Sequence, residues 1–339
     1  MINRLLGGLG RTLIFSGVVL LLFVAYQLWG TKLDEESHQA DLTRSLGHSV
    51  GLPDKATGED SDSATIADQI TTKLAAIDPA TAPAAETPKE GQAGGTIEIP
   101  KIGLKAKAFV EGVAKADLRK GPGHYTGTPF PGNPGNAAIA GHRTTYGAPF
   151  NRIDELVPGD KIVTYTLQGK FVYEVVASPD DRRKGDKGST WGDGWFAVNP
   201  NDVSVLAPTD DNRLTLTACH PKYSAKLRII VQAKLVAEPA VAPTTTEAPA
   251  TSDGADDSQT VTPPAQSADD LIAGDPGELT PSLLFGALVV ALWLGAMGVA
   301  ALLRRRERMW WPVYIVAVLA SAGPLWFCFV HMDRFLPSY

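Results

Sequence analysis

Cysteine is scarce in this chain, with only two residues among 339. Cys328 lies inside a long apolar run, so a structural disulfide with Cys219 is not expected. A fold held together by disulfides is therefore not predicted. A free thiol in a chain that carries export features calls for a chemical reason.

An excess of positive charge is also missing. The formal net charge is −6, which gives no reason to expect a nucleic-acid partner. We predict neither a metal ion nor a cofactor from the sequence.

Apolar runs are abundant, and three of them are long enough to cross a bilayer, which takes about 20 residues. The first covers residues 12–29 and follows Arg4 and Arg11. A secretory signal peptide is the competing interpretation, but its apolar core is usually about 7–15 residues, and no small-residue cleavage site follows Trp29. We expect an uncleaved anchor within residues 1–30, with a cytoplasmic N-terminus because the arginines precede it.

The other two apolar runs cover residues 282–303 and 310–330. Their connection, residues 304–309, carries four arginines, and positively charged loops stay in the cytoplasm. The pattern predicts a multi-pass protein of the cell membrane. Its middle region and the tail 331–339 are expected outside the cytoplasm.

Residues 31–95 and 238–281 are rich in Ala, Thr, Pro, Ser and Asp, which is typical of linkers. Within the first linker, Ile66, Ile70 and Leu74 recur at helical spacing. This segment is either a short helix lying on the folded domain or a transient helix in a flexible linker.

Residues 96–237 carry the pattern of a folded domain. Short strand-like runs alternate with Gly/Pro/Asp/Asn clusters, which predicts a mainly β barrel or sandwich with short helices. The predicted strands cover residues 96–99, 106–110, 137–140, 161–167, 171–177, 203–206, 214–219 and 227–234.

The run from Leu214 to Cys219 alternates apolar and polar residues, the pattern of a strand with one buried face. Pro221 then ends the strand, because proline cannot donate to a ladder. Cys219 therefore lies near a strand end, and Arg228 lies on the next strand-like run. A thiol and a guanidinium at adjacent strand ends suit acyl transfer, one attacking and the other holding the oxyanion. The alternative is a cysteine buried in a core strand.

A cysteine nucleophile needs a base or an imidazolium partner. His142 follows a strand-like run and is expected at a strand end. His220 is the neighbour of Cys219 and so points to the opposite face, while His124 lies in a turn-rich segment, solvated or bonded to the backbone. We therefore predict that His142 is the partner of Cys219.

The motif Thr215-Leu216-Thr217-Ala218-Cys219 resembles the TLxTC signature of sortases. Gly141-His142 lies upstream and Arg228 downstream, in the order that this family uses. The similarity covers about residues 96–236. Residues 142–150 and Cys219-His220-Pro221 resemble class E sortases of high-GC Gram-positive bacteria.

The resemblance implies a cysteine transpeptidase on a closed eight-stranded β-barrel. Cys219 would attack the Thr–Gly bond of a sorting signal near a substrate protein's C-terminus. His142 would act first as the acid and then as the base, and Arg228 would bind the oxyanion. The implied partners are surface proteins with such a signal and a lipid-linked peptidoglycan precursor, whose amine resolves the thioacyl intermediate.

The resemblance also implies substrate contacts by Tyr146, Thr217, Ala218 and His220. Tyr146 stands in the position that class E associates with a signal of the LAxTG type. The family usually has Thr where this chain has Ala218, so an LPxTG-type signal stays an alternative.

Two other functions stay open. A pilin-polymerising sortase tends to have a lid in which an aromatic residue follows Asp-Pro, whereas Asp78-Pro79 is followed here by Ala80. A non-catalytic, membrane-tethered binding protein would keep Cys219 in its core, where the thiol resists alkylation.

Replacing Cys219 with alanine is expected to abolish peptide cleavage and transfer, whereas Cys328→Ala leaves both intact. The reason is that only Cys219 lies at a strand end outside the apolar runs. Mass spectrometry of the peptide products checks both variants. Transfer by Cys219→Ala contradicts the assignment.

Overall fold

The computed structural model describes residues 2–58, 61–184, 187–188, 190–237, 239–240, 275–306 and 308–336. The chain divides into two compact units, one formed by residues 1–29 and 272–338 and the other by residues 30–271. Most of the predicted linker 238–281 lies outside the described residues.

The described residues form seven α-helices and nine strands. The helices are α1 (Ile2–Ala25), α2 (Thr31–Ser49), α3 (Asp54–Thr57), α4 (Ser63–Ala75), α5 (Lys115–Leu118), α6 (Leu279–Arg305) and α7 (Pro312–Phe335). The strands are β1 (Ala93–Ile99), β2 (Leu104–Glu111), β3 (Gly123–His124), β4 (Asn136–Ala140), β5 (Lys161–Thr166), β6 (Gly169–Val175), β7 (Phe196–Val198), β8 (Arg213–His220) and β9 (Leu227–Leu235).

The first unit contains α1, α6 and α7. Within the part of the chain that the structure describes, three helical stretches are long and apolar enough to cross a membrane, namely Leu13–Ser49, Pro276–Arg305 and Pro312–Phe335. Small buried residues, such as Ala300 on α6 and Ala317 on α7, let these two helices pack closely.

The second unit is built on a barrel. Its strands follow the order β6-β5-β1-β2-β3-β4-β8-β9, and pairing between β6 and β9 closes a ring of eight. β7 is a ninth, short strand that pairs with the first half of β9. The predicted closed eight-stranded barrel is confirmed.

Two details of the strand prediction differ from the structure. Residues 203–206, predicted as a strand, form a 3₁₀ helix, because the Asp202 side chain accepts a hydrogen bond from the Ser204 amide and curls the chain. The sequence prediction also missed β3 and β7, which have two and three residues and are too short to display alternation.

Helix α2 replaces part of the predicted linker 31–95. Its Leu42 and Leu46 are buried, and the Gln39 amide exchanges hydrogen bonds of 2.9 and 3.0 Å with the backbone of Ala108 on β2. Glu35 is buried on this helix as well. Because Glu35 and Gln39 are polar, this buried face did not give an apolar stripe in the sequence.

Helix α4 is the island of helical spacing found in the same region. Ile66, Ile70 and Leu74 are each 0% exposed and pack against Val163 and Tyr165 of β5. Of the two alternatives for this segment, the structure has the helix lying on the folded domain.

Ile70→Ala is expected to lower the free energy of unfolding of the second unit by about 2–5 kcal/mol, because it leaves a cavity under α4. Thr72→Ala, on the exposed side of the same helix, is the matched control. Thermal melting of both variants measures the difference. Equal melting temperatures would mean that α4 does not pack on the barrel.

Candidate active site

The site is assembled at the end shared by two parallel strands. β4 pairs with β8 in parallel, with Ala140 opposite Thr217. The Gly141 amide donates a hydrogen bond of 3.0 Å to the Thr217 carbonyl, so the pairing continues past the end of β4. His142 and Cys219 each lie two residues further along, so the strand register places them side by side on neighbouring segments.

The third predicted residue comes from β9. This strand pairs with β8 in antiparallel fashion and places Arg228 directly opposite Cys219. The guanidinium Nη1 of Arg228 donates to the carbonyl oxygens of Ala225 and Leu227, at 3.2 and 3.3 Å. The predicted residues His142, Cys219 and Arg228 are thus brought to one end of three neighbouring chain segments.

The glycine before His142 is required by packing. A Cβ at Gly141 would lie 2.5 Å from Cδ2 of the buried Phe150 ring. The Phe150 amide donates 3.1 Å to the His142 carbonyl, which folds the following loop back under His142. Any larger residue at Gly141 would push Phe150 or His142 out of place.

The two faces of β8 have different environments. Leu214, Leu216 and Ala218 belong to the main core inside the barrel. Thr215, Thr217 and Cys219 alternate with them and so point outward. The predicted nucleophile Cys219 therefore lies on the outer face of the barrel.

Tyr125 covers this outer face, and the sequence analysis did not assign it a role. Its hydroxyl shares a hydrogen bond of 3.0 Å with Thr217 Oγ1, and burial raises the pKa of the phenol, which Arg228 partly opposes. In the sequence, Tyr125 directly follows His124 in the turn-rich segment, and this position gives no signal of a role.

The thiol experiences opposing electrostatic effects. Burial raises the pKa of Cys219, while the guanidinium groups of Arg228 and Arg143 lower it in part. Burial is the larger effect, so the neutral thiol predominates at neutral pH. A Cys–His pair remains active in this state, because a minor thiolate population is the nucleophile and imidazolium is the acid.

Tyr146 lies next to His142, with the two ring centroids 5.2 Å apart. It adopts a left-handed backbone conformation with φ of 49°. The Tyr146 amide donates to Thr31 Oγ1 of α2 at 3.3 Å. Helix α2 therefore supports the loop that holds this ring beside the predicted acid and base.

Ala218 and His220 are the other two residues predicted to contact the substrate. Both lie on the inner face of β8, where Ala218 belongs to the core and the His220 ring lies 5.2 Å from that of Trp195. Alternation along the strand turns both away from Cys219. Of the residues predicted to bind substrate, Thr217 and Tyr146 are on the side of the thiol or of His142.

Of the two alternatives for His124, the structure has the backbone-bonded one, because its Nε2 lies 3.0 Å from the Pro129 carbonyl oxygen. His124 is buried, and its Nδ1 lies 2.7 Å from Glu111 Oε2, which joins β3 to β2.

Among the described residues, no group of three or more His, Cys, Asp or Glu residues is placed to hold a metal ion.

Alkylation of Cys219 by iodoacetamide is expected to keep accelerating above about pH 8.5, the ordinary midpoint of a cysteine thiol. The raised pKa leaves little thiolate below that pH. Mass spectrometry of the Cys219 peptide gives the rate at each pH, with an unstructured cysteine peptide as the control. A midpoint at or below that of the control contradicts the dominance of burial.

Comparison with known proteins gives the family. The sequence model of the sortase domain matches residues 97–236. Sortase SrtE1 of Streptomyces coelicolor is 30% identical over 245 residues, which cover 68% of this chain and 57% of SrtE1. Sortase D of Bacillus subtilis is 33% identical over 153 residues, which cover 44% of this chain and 67% of that protein.

Among solved structures, sortase E of Streptomyces avermitilis is 31% identical, with a TM-score of 0.36 over 45% of this chain and 93% of that chain. The chain spans 57% of the length of SrtE1 and 67% of that of sortase D. With the sortase domain matched across its barrel and 33% identity to sortase D, this chain belongs to the sortase family.

Proposed function

We propose that this chain is a transpeptidase that cleaves the Thr–Gly bond of a C-terminal sorting signal, of the LAxTG or LPxTG type, and transfers the protein to an amine of a cell-wall precursor. The observation that carries the proposal is the level placement of His142, Cys219 and Arg228 at the ends of neighbouring segments.

In the first half of the reaction, the Cys219 thiolate attacks the threonine carbonyl carbon. Arg228 donates to the oxyanion that develops, and His142 protonates the glycine amine as the C–N bond breaks. The product is a thioester between the substrate threonine and Cys219.

In the second half, His142 takes a proton from the incoming amine, which attacks the thioester carbonyl. The Cys219 thiolate leaves and the new amide bond forms. One imidazole thus serves as the acid in the first half and as the base in the second.

Substrate is expected to lie on the outer face of β8, in contact with Thr217 and Tyr146. Both side chains are buried, and the Tyr146 ring lies beside the His142 ring at an interplanar angle of 33°. Tyr146 is the residue we propose to favour an LAxTG-type signal.

The location proposed for the barrel is outside the cytoplasm, with the chain crossing the cell membrane at α1, α6 and α7. This is supported by Arg304 and Arg305, which end α6, and by the Arg304 guanidinium placed 3.7 Å from the Trp310 ring centroid. Arginine and tryptophan are both typical of a membrane boundary, and arginine of its cytoplasmic side.

Pilin polymerisation receives no support from the Asp78-Pro79 segment. Pro79 packs beside Gly169, the first residue of β6: a Cβ on that glycine would lie 3.0 Å from Pro79 Cγ. In this position the segment cannot act as a plug over Cys219, which lies at the end of β8.

The direct test uses the full-length chain in detergent with LAxTG and LPxTG peptides and a set of candidate amines. Mass spectrometry is expected to detect cleavage after threonine and a ligated product, with LAxTG preferred. Cys219→Ala is the inactive control. Absence of both products with every peptide and amine contradicts the proposal.

Arg228→Lys is expected to lower kcat/KM by about 10²–10³-fold, the usual effect of losing one oxyanion donor, with little change in melting temperature. Lysine keeps the charge but not the planar pair of donors. Kinetics and melting of the same preparation check this. Near-normal turnover, or a loss that follows unfolding, removes Arg228 from the site.

A further inference from the structure

Arg143 follows His142 directly and is one of the most buried side chains of the barrel, with 2% of it exposed. A buried guanidinium is costly unless its donors are paired. Its Nη2 lies 2.8 Å from Asp154 Oδ1, and its Nη1 donates 3.0 Å to His220 Nδ1 and 3.4 Å to the Cys219 carbonyl.

The contact with His220 fixes the proton of that ring. Arginine has donors only, so His220 Nδ1 must accept and the proton of the neutral ring must lie on Nε2. In this state His220 cannot serve as an imidazolium acid. The Trp195 ring holds the other side of the imidazole.

The segments His142-Arg143 and Cys219-His220 therefore lie next to each other at the end of the paired strands β4 and β8. His142 and Cys219 are level with each other, and the residues that follow them, Arg143 and His220, are joined by a hydrogen bond. The same guanidinium also holds the Cys219 carbonyl, so a movement of Arg143 would displace the backbone that carries the thiol.

We propose that Arg143 is a positioning residue of the transpeptidase: by bonding to His220 and to the Cys219 carbonyl, it locks the end of β8 against the chain that carries His142. This inference rests on the proposed function, because it assigns what keeps the reacting pair in place. We name the contact between Arg143 and His220 the inner clamp.

The inner clamp also places a fixed positive charge near the thiol. The charged groups that act on Cys219 are Arg228 on β9 and Arg143 after β4, and Tyr125 after β3 lies close by. His142 is level with Cys219 by strand register, and Asp154 is paired with Arg143. Arg143 is thus a second cation that favours the thiolate, on the side away from the solvent.

A pair of substitutions at His220 tests the positioning role. His220→Asn keeps an acceptor oxygen near the place of Nδ1 and is expected to keep most of the parent kcat. His220→Leu fills a similar volume without an acceptor and is expected to lower kcat by up to about a hundredfold, as remote displacements of reacting groups do, with KM near the parent value.

Whether a His220 substitution changes kcat or KM separates a positioning role from a substrate contact. A change confined to KM would mean that His220 contacts the substrate, and equal activity of the Asn and Leu variants would mean that only ring volume matters. Either result overturns the inner clamp.

A second measurement is independent of turnover and of whether His220→Leu folds. Arg143→Gln is expected to move the midpoint of Cys219 alkylation to higher pH, whereas Arg152→Gln, which removes an exposed arginine paired with Glu155, leaves it unchanged. An unchanged midpoint in Arg143→Gln, with a preserved melting temperature, overturns the proposal.

Failure of the proposed function can be distinguished from failure of the inner clamp. In that case the parent chain transfers no peptide to any amine, yet the alkylation midpoints of Arg143→Gln and Arg152→Gln still differ. If Arg143→Gln does not fold, the His220 pair alone decides the matter.

Discussion

The parallel pairing of β4 with β8 is the constraint on which the rest of the site depends. Parallel strands end at the same edge, so residues at equal distances past a paired position are neighbours. The bond from the Gly141 amide to the Thr217 carbonyl extends this register to His142 and Cys219. The antiparallel partner β9, which follows β8 after residues 221–226, then places Arg228 opposite Cys219.

Burial and charge oppose each other at the thiol. An enclosed position raises the pKa of Cys219, and Arg228 and Arg143 lower it only in part. The enclosure that makes the thiolate scarce also strengthens any interaction between Arg228 and a developing oxyanion, since the effective dielectric is low. In the mechanism we propose, thiolate abundance is low and oxyanion stabilisation is strong.

Helix α2 is attached to the barrel largely by polar side chains. The Glu35 side chain is 1% exposed and lies 2.6 Å from Lys107 Nζ of β2, and burial raises the pKa of Glu35 while Lys107 opposes the shift. Gln39 bonds to the same strand through Ala108, and Thr31 bonds to the loop that carries Tyr146. These contacts hold α2 against the barrel beside the proposed active site.

From local periodicity and from proline as a strand terminator, the sequence determined a mainly β domain (barrel or sandwich), the alternation of β8 and the placement of Cys219 near a strand end. The closed barrel was implied by the resemblance to sortases, and the sequence went no further than that resemblance in choosing it. The sequence did not reveal α2, whose buried face is partly polar, or the contact of Tyr125 with Thr217, which arises because β4 pairs with both β3 and β8. Which residues face the thiol was also decided by the tertiary structure. Ala218 and His220 turn inward because the core occupies one face of β8, and strand register is set by pairing between residues far apart in the chain.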